Sequence, residues 1–215
     1  MIVLLINIEA IATDFDFVLG KPSWVRYLRI LYRTLKRTNP EITESLLSLP
    51  SNFLLLRILE YFAERVLLNF SLFDGRHSPL VDPLLLKSYS KYGLIGVFSR
   101  RSTKQLQKKL DELGYIDFIY ACVGSDDVVS TIRKEYISKC IERLGVPPKS
   151  ILVMSDSPSD LQKARNEYGA KICAVPTGYH SIESLKRLNP DFLMNAQSVF
   201  ETLLNQVQNQ LNLGD

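Results

Sequence analysis

The 215-residue sequence has few of the residues that build disulfide frameworks or zinc sites. It holds three cysteines, Cys122, Cys140 and Cys173, and two histidines, His77 and His180. An odd number of distant cysteines, two of them inside apolar runs, indicates small core residues in a reducing compartment. Neither histidine has a second ligand at metal-binding spacing. The sequence therefore excludes a disulfide-stabilised domain and a zinc site.

A net charge of either sign is nearly absent as well. The formal charge is +3, too small to indicate a nucleic acid or an anionic membrane as partner. Residues 1–6 are apolar but the run stops at Asn7, with no basic leader and no cleavage site, so it predicts neither a signal peptide nor a membrane span. We expect a cytoplasmic protein. The sequence does not indicate its oligomeric state.

What the sequence does contain is a regular alternation of short apolar runs and helical patterns. Runs typical of buried strands occur at 94–98, 118–123, 151–154 and 171–175. Helical patterns separate or follow them at 103–113, 134–144, 161–168 and 199–211. Strands connected by helices of this length require right-handed crossovers in a parallel sheet. The sequence predicts an α/β fold with a doubly wound parallel sheet.

The beginning of the chain has a different texture. The apolar run at 2–6 predicts the first strand of the sheet, because strands covered on both faces are continuously apolar. From 24 to 69 only helical periodicity appears, and the length of the chain leaves room for a smaller insertion. We expect a core domain at 1–14 and 78–215, and an inserted helical domain at 15–77.

The segment at 151–160 carries the clearest chemical signal. Its strand stops at Ser155 and Asp156, and Ser159 can cap a following helix, so the loop carries two carboxylates four residues apart. In an open parallel sheet such a loop lies in the ligand crevice. Asp156 and Asp160 offer the oxygen ligands that Mg²⁺ prefers. The alternative is that both only cap the helix and favour its dipole.

With these elements in this order, the chain resembles the haloacid dehalogenase-like hydrolase superfamily, in which magnesium-dependent phosphatases dominate. The run Ser-Asp-Ser-Pro-Ser-Asp at 155–160 is similar to the fourth motif, usually Gly-Asp-Ser with a second Asp four residues after the first. Ser99, at the end of an apolar run, matches the Ser or Thr of the second motif. The resemblance implies a Rossmann-like core, a helical cap and Mg²⁺ held by Asp156 and Asp160.

The first motif of this family is Asp-x-Asp after a strand, in which the first Asp attacks phosphorus and the second protonates the leaving group. Placing the run at 2–6 on this motif puts Asn7 at the nucleophile and metal position and Glu9 at the acid/base position. An amide cannot form the acyl-phosphate and brings no charge to the cation. This placement predicts a weakened magnesium site of Asn7, Asp156 and Asp160, and impaired catalysis.

A second placement uses Asp14 and Asp16, which also form Asp-x-Asp. It requires 9–13 to be the central strand with Glu9 in its interior, and burying an unpaired carboxylate is costly. It also leaves the more apolar run at 1–6 without a role. The first placement is therefore preferred. In the second, Asp14 and Asp16 are catalytic and the enzyme is intact.

The third motif, a Lys that neutralises phosphate charge, is displaced in this sequence. By spacing it should fall near Thr131, and the nearest cations are Arg133 and Lys134. Lys134 lies about one helical turn further on, where it either reaches the site or lies on a solvated helix face. The resemblance implies that Ser99, Arg100 and Lys134 bind the phosphoryl group.

Two functions are compatible with these patterns. The order of the motifs favours a phosphatase-type hydrolase for a small phosphorylated metabolite, with activity impaired at Asn7. The alternative is a non-catalytic pseudo-phosphatase that binds a ligand or a protein partner. It is favoured by three departures from the family pattern: Asn7, the pair Ala10-Ile11 where Gly-Thr is usual, and the displaced Lys.

Overall fold

The computed structural model describes residues 8–16, 18–22, 77–128, 134–178 and 180–212. The chain divides into two compact units, one comprising Met1–Lys21 with Ser78–Asp215 and the other Pro22–His77. Apart from Pro22 and His77, all described residues belong to the first unit. It is this unit that carries the sheet.

A six-stranded parallel sheet forms the centre of the first unit. Its strands are β1 (Ala10–Asp14), β4 (Leu94–Phe98), β5 (Ala121–Val123), β6 (Ile151–Ser155), β7 (Lys171–Ala174) and β8 (Phe192–Leu193). They lie in the order β5-β4-β1-β6-β7-β8, and every pairing is parallel. The predicted parallel sheet is confirmed. Two further strands, β2 (Gly20–Pro22) and β3 (His77–Pro79), form a separate two-stranded sheet.

Helices cover both faces of the large sheet. The described helices are α1 (Pro83–Tyr89), α2 (Thr103–Glu112), α3 (Lys134–Leu144), α4 (Pro158–Tyr168), α5 (Ile182–Lys186) and α6 (Ala196–Asn212). Leu152 and Val153 are consecutive in β6 yet belong to different buried hydrophobic clusters, as alternating strand residues do when each face packs against its own helices. None of the helices in these segments is long and apolar enough to cross a membrane.

The strand beside β6 is not the one that apolarity predicts. β1 pairs with β6 in the register Ala10↔Ile151 and Thr13↔Met154, and β7 occupies the other side of β6. The expectation that the run at 2–6 lies next to β6 is therefore wrong; residues 1–7 themselves lie outside the described residues. Glu9 is exposed just before β1, so the cost of burying its carboxylate does not arise.

The first unit also extends further than expected. Phe15, Val18 and Leu19 are fully buried in a core cluster of the sheet unit. The first segment of this unit ends at Lys21, seven residues after the expected boundary at Asp14. The helices expected at 24–69 fall outside the described residues.

Smaller differences concern the ends of elements. The strand expected at 118–123 is limited to Ala121–Val123, because Ile116–Phe118 forms a 3₁₀ turn. Helix α4 starts at Pro158 with Ser157 as its N-cap, two residues before the expected Ser159. Proline lacks an N–H and has a helical φ, so it suits the first helical position.

Candidate active site

Two aspartates and one serine lie at the carboxyl edge of the sheet. Asp14 is the last residue of β1, Ser99 follows β4 and Asp156 follows β6. These strands are neighbours, with β1 between the other two, and Asp14 lies opposite Phe98 in the register. Ligands of open α/β sheets bind at this edge. This edge is therefore the candidate active site.

Asp14 is held in a defined orientation. Its side chain is buried, with 5% of the residue exposed, and its Oδ1 accepts a hydrogen bond from the backbone N–H of Phe15 at 2.8 Å. The same N–H also lies 3.1 Å from the carbonyl oxygen of Phe98 on the neighbouring strand. A carboxylate fixed by the backbone at a strand end is suited to act as a nucleophile or a metal ligand.

Asp16 lies two residues further on, in a turn that closes when the N–H of Gly20 donates to the carbonyl of Phe15 at 3.0 Å. Its Oδ1 accepts a hydrogen bond from Nη2 of Arg101 at 3.1 Å, which is also an ion pair. Arg101 is not among the site residues that the sequence predicts. The only local signal was a basic residue two positions after Ser99.

The loop after β6 is closed by hydroxyl groups. The Ser155 hydroxyl donates to Oδ2 of Asp160 at 3.4 Å and accepts from the N–H of Ser157 at 3.0 Å. Asp160 is fully buried in the first turn of α4, while Asp156 is 6% exposed. Asp160 thus contacts the strand end through Ser155, and Asp156 is the residue of this loop that follows the strand directly.

A second loop approaches Asp156 from β7. A Cβ atom placed on Gly178 would lie 1.6 Å from Oδ2 of Asp156, so only a residue without a side chain fits there. The start of this loop is tied to β6, because the N–H of Val175 donates to the carbonyl of Ser155 at 3.0 Å. Gly178 therefore forms a wall against the Asp156 carboxylate.

The structure removes Glu9 from the site. The N–H of Glu9 donates to the carbonyl of Ser150 at 2.9 Å, and its carbonyl accepts from the N–H of Leu94 at 3.0 Å. Both partners lie at the start of strands, so Glu9 is at the amino edge, opposite Asp156. Its predicted acid/base role is wrong. Asn7 lies outside the described residues, and the strand end beside β6 is taken by Asp14.

The three residues predicted to bind the phosphoryl group differ in their exposure and in how far the structure describes them. Ser99 is 3% exposed, and its Oγ accepts from the N–H of Arg101 at 3.3 Å. Arg100 is exposed next to it. Lys134 is the first residue of α3, but its side chain, like Thr131 and Arg133, lies outside what the structure describes. The roles of Ser99, Arg100 and Lys134 stay predictions.

The donor set at this edge fits a hard cation. Asp14 and Asp156 are buried carboxylates at the ends of adjacent strands, and Mg²⁺ is commonly bound by one or two carboxylates together with waters. Within the described ranges, no group of three His, Cys, Asp or Glu side chains could hold a metal ion. Two buried carboxylates at one strand edge are a donor set of the kind that Mg²⁺ binds together with waters.

The chain matches a known protein-family model. The model of the haloacid dehalogenase-like hydrolases matches residues 50–175, which is more than half of the chain. The matched range includes Ser99 and the loop at 155–160. It begins after Asp14 and Asp16, so it does not bear on the choice of first motif.

A curated relative is a Clostridium perfringens protein named "Putative pyrophosphatase PpaX". It is 29% identical over 133 residues, which cover 60% of this chain and 61% of the relative. The match thus spans about three-fifths of the relative's length.

Solved structures share the fold over nearly the whole chain. A HAD family hydrolase from Deinococcus radiodurans, with bound phosphate and sodium, has a TM-score of 0.63 at 15% identity; 93% of this chain and 96% of that one are covered. A haloacid dehalogenase-like family protein from Streptococcus pneumoniae has a TM-score of 0.60 at 18% identity, covering 91% and 98%. At these identities the likeness concerns the fold.

Proposed function

Since this chain belongs to the haloacid dehalogenase-like hydrolase family, we propose that it is a magnesium-dependent phosphohydrolase of small phosphorylated molecules, with Asp14 as nucleophile. The observation that carries the proposal is the position of Asp14. It ends β1, directly beside the strand that leads to Asp156. A carboxylate at this position supplies the nucleophile that Asn7 could not.

In the proposed reaction an oxygen of the Asp14 carboxylate attacks phosphorus, and the bond between phosphorus and the leaving oxygen breaks. Asp16 donates a proton to that oxygen, so the leaving group departs as an alcohol or an acid. Water then attacks the acyl-phosphate on Asp14, and Asp16 accepts a proton from it. The products are inorganic phosphate and the original carboxylate.

The metal site would consist of Asp14 and Asp156, with Asp160 fixing the loop through Ser155. When bound, Mg²⁺ supplies positive charge for the phosphoryl oxygens and lowers the repulsion between them and the Asp14 carboxylate. Ser99, buried at the end of β4, is placed to donate to a phosphoryl oxygen, and Arg100 and Lys134 are the proposed cations around it.

The substrate class rests on the family and on one relative. Small phosphorylated metabolites fit a phosphatase-type site, and the name of the Clostridium perfringens relative points to pyrophosphate. We therefore include inorganic pyrophosphate among the substrates to be tested. No nucleic acid partner is proposed, because the net charge is only +3.

The non-catalytic alternative loses its main argument. It depended first on an amide at the nucleophile position, and this departure does not apply when Asp14, at the end of β1, is the proposed nucleophile. The displaced third-motif Lys still favours it, since the position of a phosphate-binding cation near Lys134 is a prediction. In this alternative the protein binds phosphate or magnesium without turnover.

The first experiment compares Asp14→Asn with Asn7→Ala in a phosphate-release assay. The panel contains phosphate monoesters and inorganic pyrophosphate, with Mg²⁺ present. We expect Asp14→Asn to lower kcat on the order of 10³-fold or more, because the nucleophile is removed. Asn7→Ala should retain activity.

Three outcomes separate the possibilities. Loss of activity in Asn7→Ala with retention in Asp14→Asn would return the nucleophile position to Asn7. A wild-type protein that releases no phosphate from the panel but binds Mg²⁺ and phosphate by calorimetry would favour the non-catalytic function. Full activity in both variants would sink the proposed mechanism.

A further inference from the structure

We infer that Arg101 is a positioning residue that fixes the carboxylate of Asp16 for its role as acid and base. The inference rests on the proposed function, since it concerns the same site. It starts from one contact, the ion pair between Nη2 of Arg101 and Oδ1 of Asp16 at 3.1 Å. The two residues are 85 positions apart, so only the fold brings them together.

The backbone of Arg101 is anchored on two sides. Its N–H donates to Oγ of Ser99 at 3.3 Å, and its carbonyl accepts from the N–H of Ser125 at 2.7 Å. Ser99 follows β4 and Ser125 lies just after β5, so two strand ends determine where the Arg101 side chain starts. A side chain whose backbone is fixed in this way can hold a neighbouring side chain in a defined position.

The guanidinium is also enclosed. Only 9% of the Arg101 side chain is exposed, and its Cζ lies 6.0 Å from the centroid of the Phe15 ring, at the outer limit of a cation–π contact. Phe15 is fully buried, and in the sequence it lies between Asp14 and Asp16. Arg101 therefore touches the first motif at two consecutive residues.

This pair is less exposed than the ion pair of Lys139 and Glu142 in the same unit. The Asp16 side chain is 23% exposed, whereas Lys139 and Glu142 are exposed by 36% and 69%. Charges with less solvent around them are screened less, so their interaction depends more on geometry. The Arg101–Asp16 pair is thus the better suited to hold a side chain in one orientation.

Orientation matters for Asp16 more than for most carboxylates. A group that transfers a proton must be within hydrogen-bond reach of the leaving oxygen, and small displacements of reacting groups are costly in rate. Asp16 lies in the turn closed between Phe15 and Gly20, beyond the end of β1. The ion pair with Arg101 thus holds the Asp16 side chain in place in this turn, as the sheet holds Asp14.

The kinetic test uses Arg101→Met and Arg101→Lys with the substrate that the wild type hydrolyses best. We expect Arg101→Met to lower kcat about 10- to 100-fold with KM changed less than about threefold, because the acid/base group is misplaced while substrate contacts remain. Arg101→Lys should recover part of kcat, since it restores the charge but not the planar fork. The control is Lys139→Met, which removes a surface cation and should leave both constants unchanged.

A second measurement does not need catalysis. Urea unfolding of Asp16→Asn, Arg101→Met and the double variant forms a double-mutant cycle. If the two side chains act as one pair, the double variant and the more destabilised single variant should have folding equilibrium constants that agree within about threefold. If instead the double variant lowers this constant by the product of the two single-variant factors, the two side chains act independently.

The two measurements separate the inference from the proposed function. An unchanged kcat in Arg101→Met, or a loss that appears only in KM, overturns the positioning role. A wild type without turnover overturns the proposed function instead, and the unfolding cycle then decides whether Arg101 and Asp16 are coupled. Independent effects in that cycle overturn the inference in either case.

Discussion

Gly178 shows how a residue without a side chain can shape an acidic site. A Cβ atom at this position would lie 1.6 Å from Oδ2 and 2.5 Å from Cγ of Asp156. These distances are far shorter than any contact between non-bonded atoms, so the requirement is for space. The backbone of the loop after β7 therefore limits the positions that the Asp156 carboxylate can take.

At this scale we predict the effect of Gly178→Ala on magnesium. The added methyl must push the Asp156 carboxylate or the loop aside, and we expect the Mg²⁺ concentration for half-maximal activity to rise about tenfold or more. Calorimetric titration of Mg²⁺ would measure the same loss without substrate.

Gly114→Ala is the matched control. No atom outside its own neighbourhood lies within 4 Å of a Cβ there, but its φ of +71° favours glycine. It should cost about 1 kcal/mol of folding stability without changing the magnesium requirement. An unchanged requirement in Gly178→Ala would show that Asp156 is not a ligand or that the loop yields easily.

At the scale of elements, the start of α2 is joined to the loop after β5. The Ser102 side chain caps the helix, and the Thr103 hydroxyl lies 2.7 Å from Oδ1 of Asp126 and 2.5 Å from Oδ2 of Asp127. Arg143 of α3 forms an ion pair with Asp127. One residue of a helix thus connects to two carboxylates and, through them, to a second helix.

These contacts lower two pKa values. The side-chain and backbone hydrogen bonds from Thr103 lower the pKa of Asp126 below its ordinary value. For Asp127, burial alone would raise the pKa, but the hydrogen bonds from Arg143, Thr103 and Gly124 outweigh it and the pKa is lowered. Carboxylates with lowered pKa values stabilise the fold above the unfolded pKa of about 4 and lose that contribution as the pH falls through the folded values.

We predict that Thr103→Val reduces the free energy of unfolding by about 1 kcal/mol at pH 7. Because the stabilised carboxylates lose a donor, the fall in stability below a pH of about 4 should also become shallower than in the wild type. Urea unfolding at pH 7 and at several acidic values measures both effects. Thr202→Val, which loses only a bond to the Ser198 carbonyl within α6, is the control, and equal behaviour of the two variants would contradict the prediction.

The same scale shows what the sequence could and could not predict. The strands β4 and β6 and the helix α3 were predictable, because local apolar runs, caps and the glycine at Gly145 mark their limits. β1 was mispredicted because it is built from small residues, among them Ala10, Ala12 and Thr13, although all are fully buried. The run at 2–6 contains larger apolar residues and therefore resembles a buried strand more closely. A central strand, however, needs side chains that can be buried, and these can be small.

The candidate site divides in the same way. The loop with Asp156 and Asp160 was predictable from a strand-to-helix boundary with acidic residues, which is a local pattern. The contact between Arg101 and Asp16, and the approach of Gly178 to Asp156, join residues that are distant in sequence. No periodicity encodes such contacts, since they depend on the order of the strands in the sheet.

At the scale of the whole sheet unit, the apolar residues of β6 are divided between two cores. Leu152 and Met154 of β6 belong to the cluster on one face, while Ile151 and Val153 belong to the other. All four are fully buried. Loss of packing on either face therefore weakens the strand that positions Asp156.

We predict that Leu152→Ala lowers the free energy of unfolding by about 2–5 kcal/mol, because it leaves a cavity in the central sheet. The control is Leu84→Ala in α1, where the side chain is 69% exposed and the change should stay within about 0.5 kcal/mol. Urea unfolding followed by circular dichroism measures both. Similar losses for the two variants would contradict the assignment of Leu152 to the core.

The two outermost strands of the described sheet are its shortest, three residues in β5 and two in β8. An outer strand presents unpaired backbone groups that another polypeptide can extend, and a short one offers few of them. The pairing of a second polypeptide with either outer strand is thereby disfavoured. The same brevity that makes β5 and β8 minor contributors to the core helps keep this fold from aggregating when it is crowded.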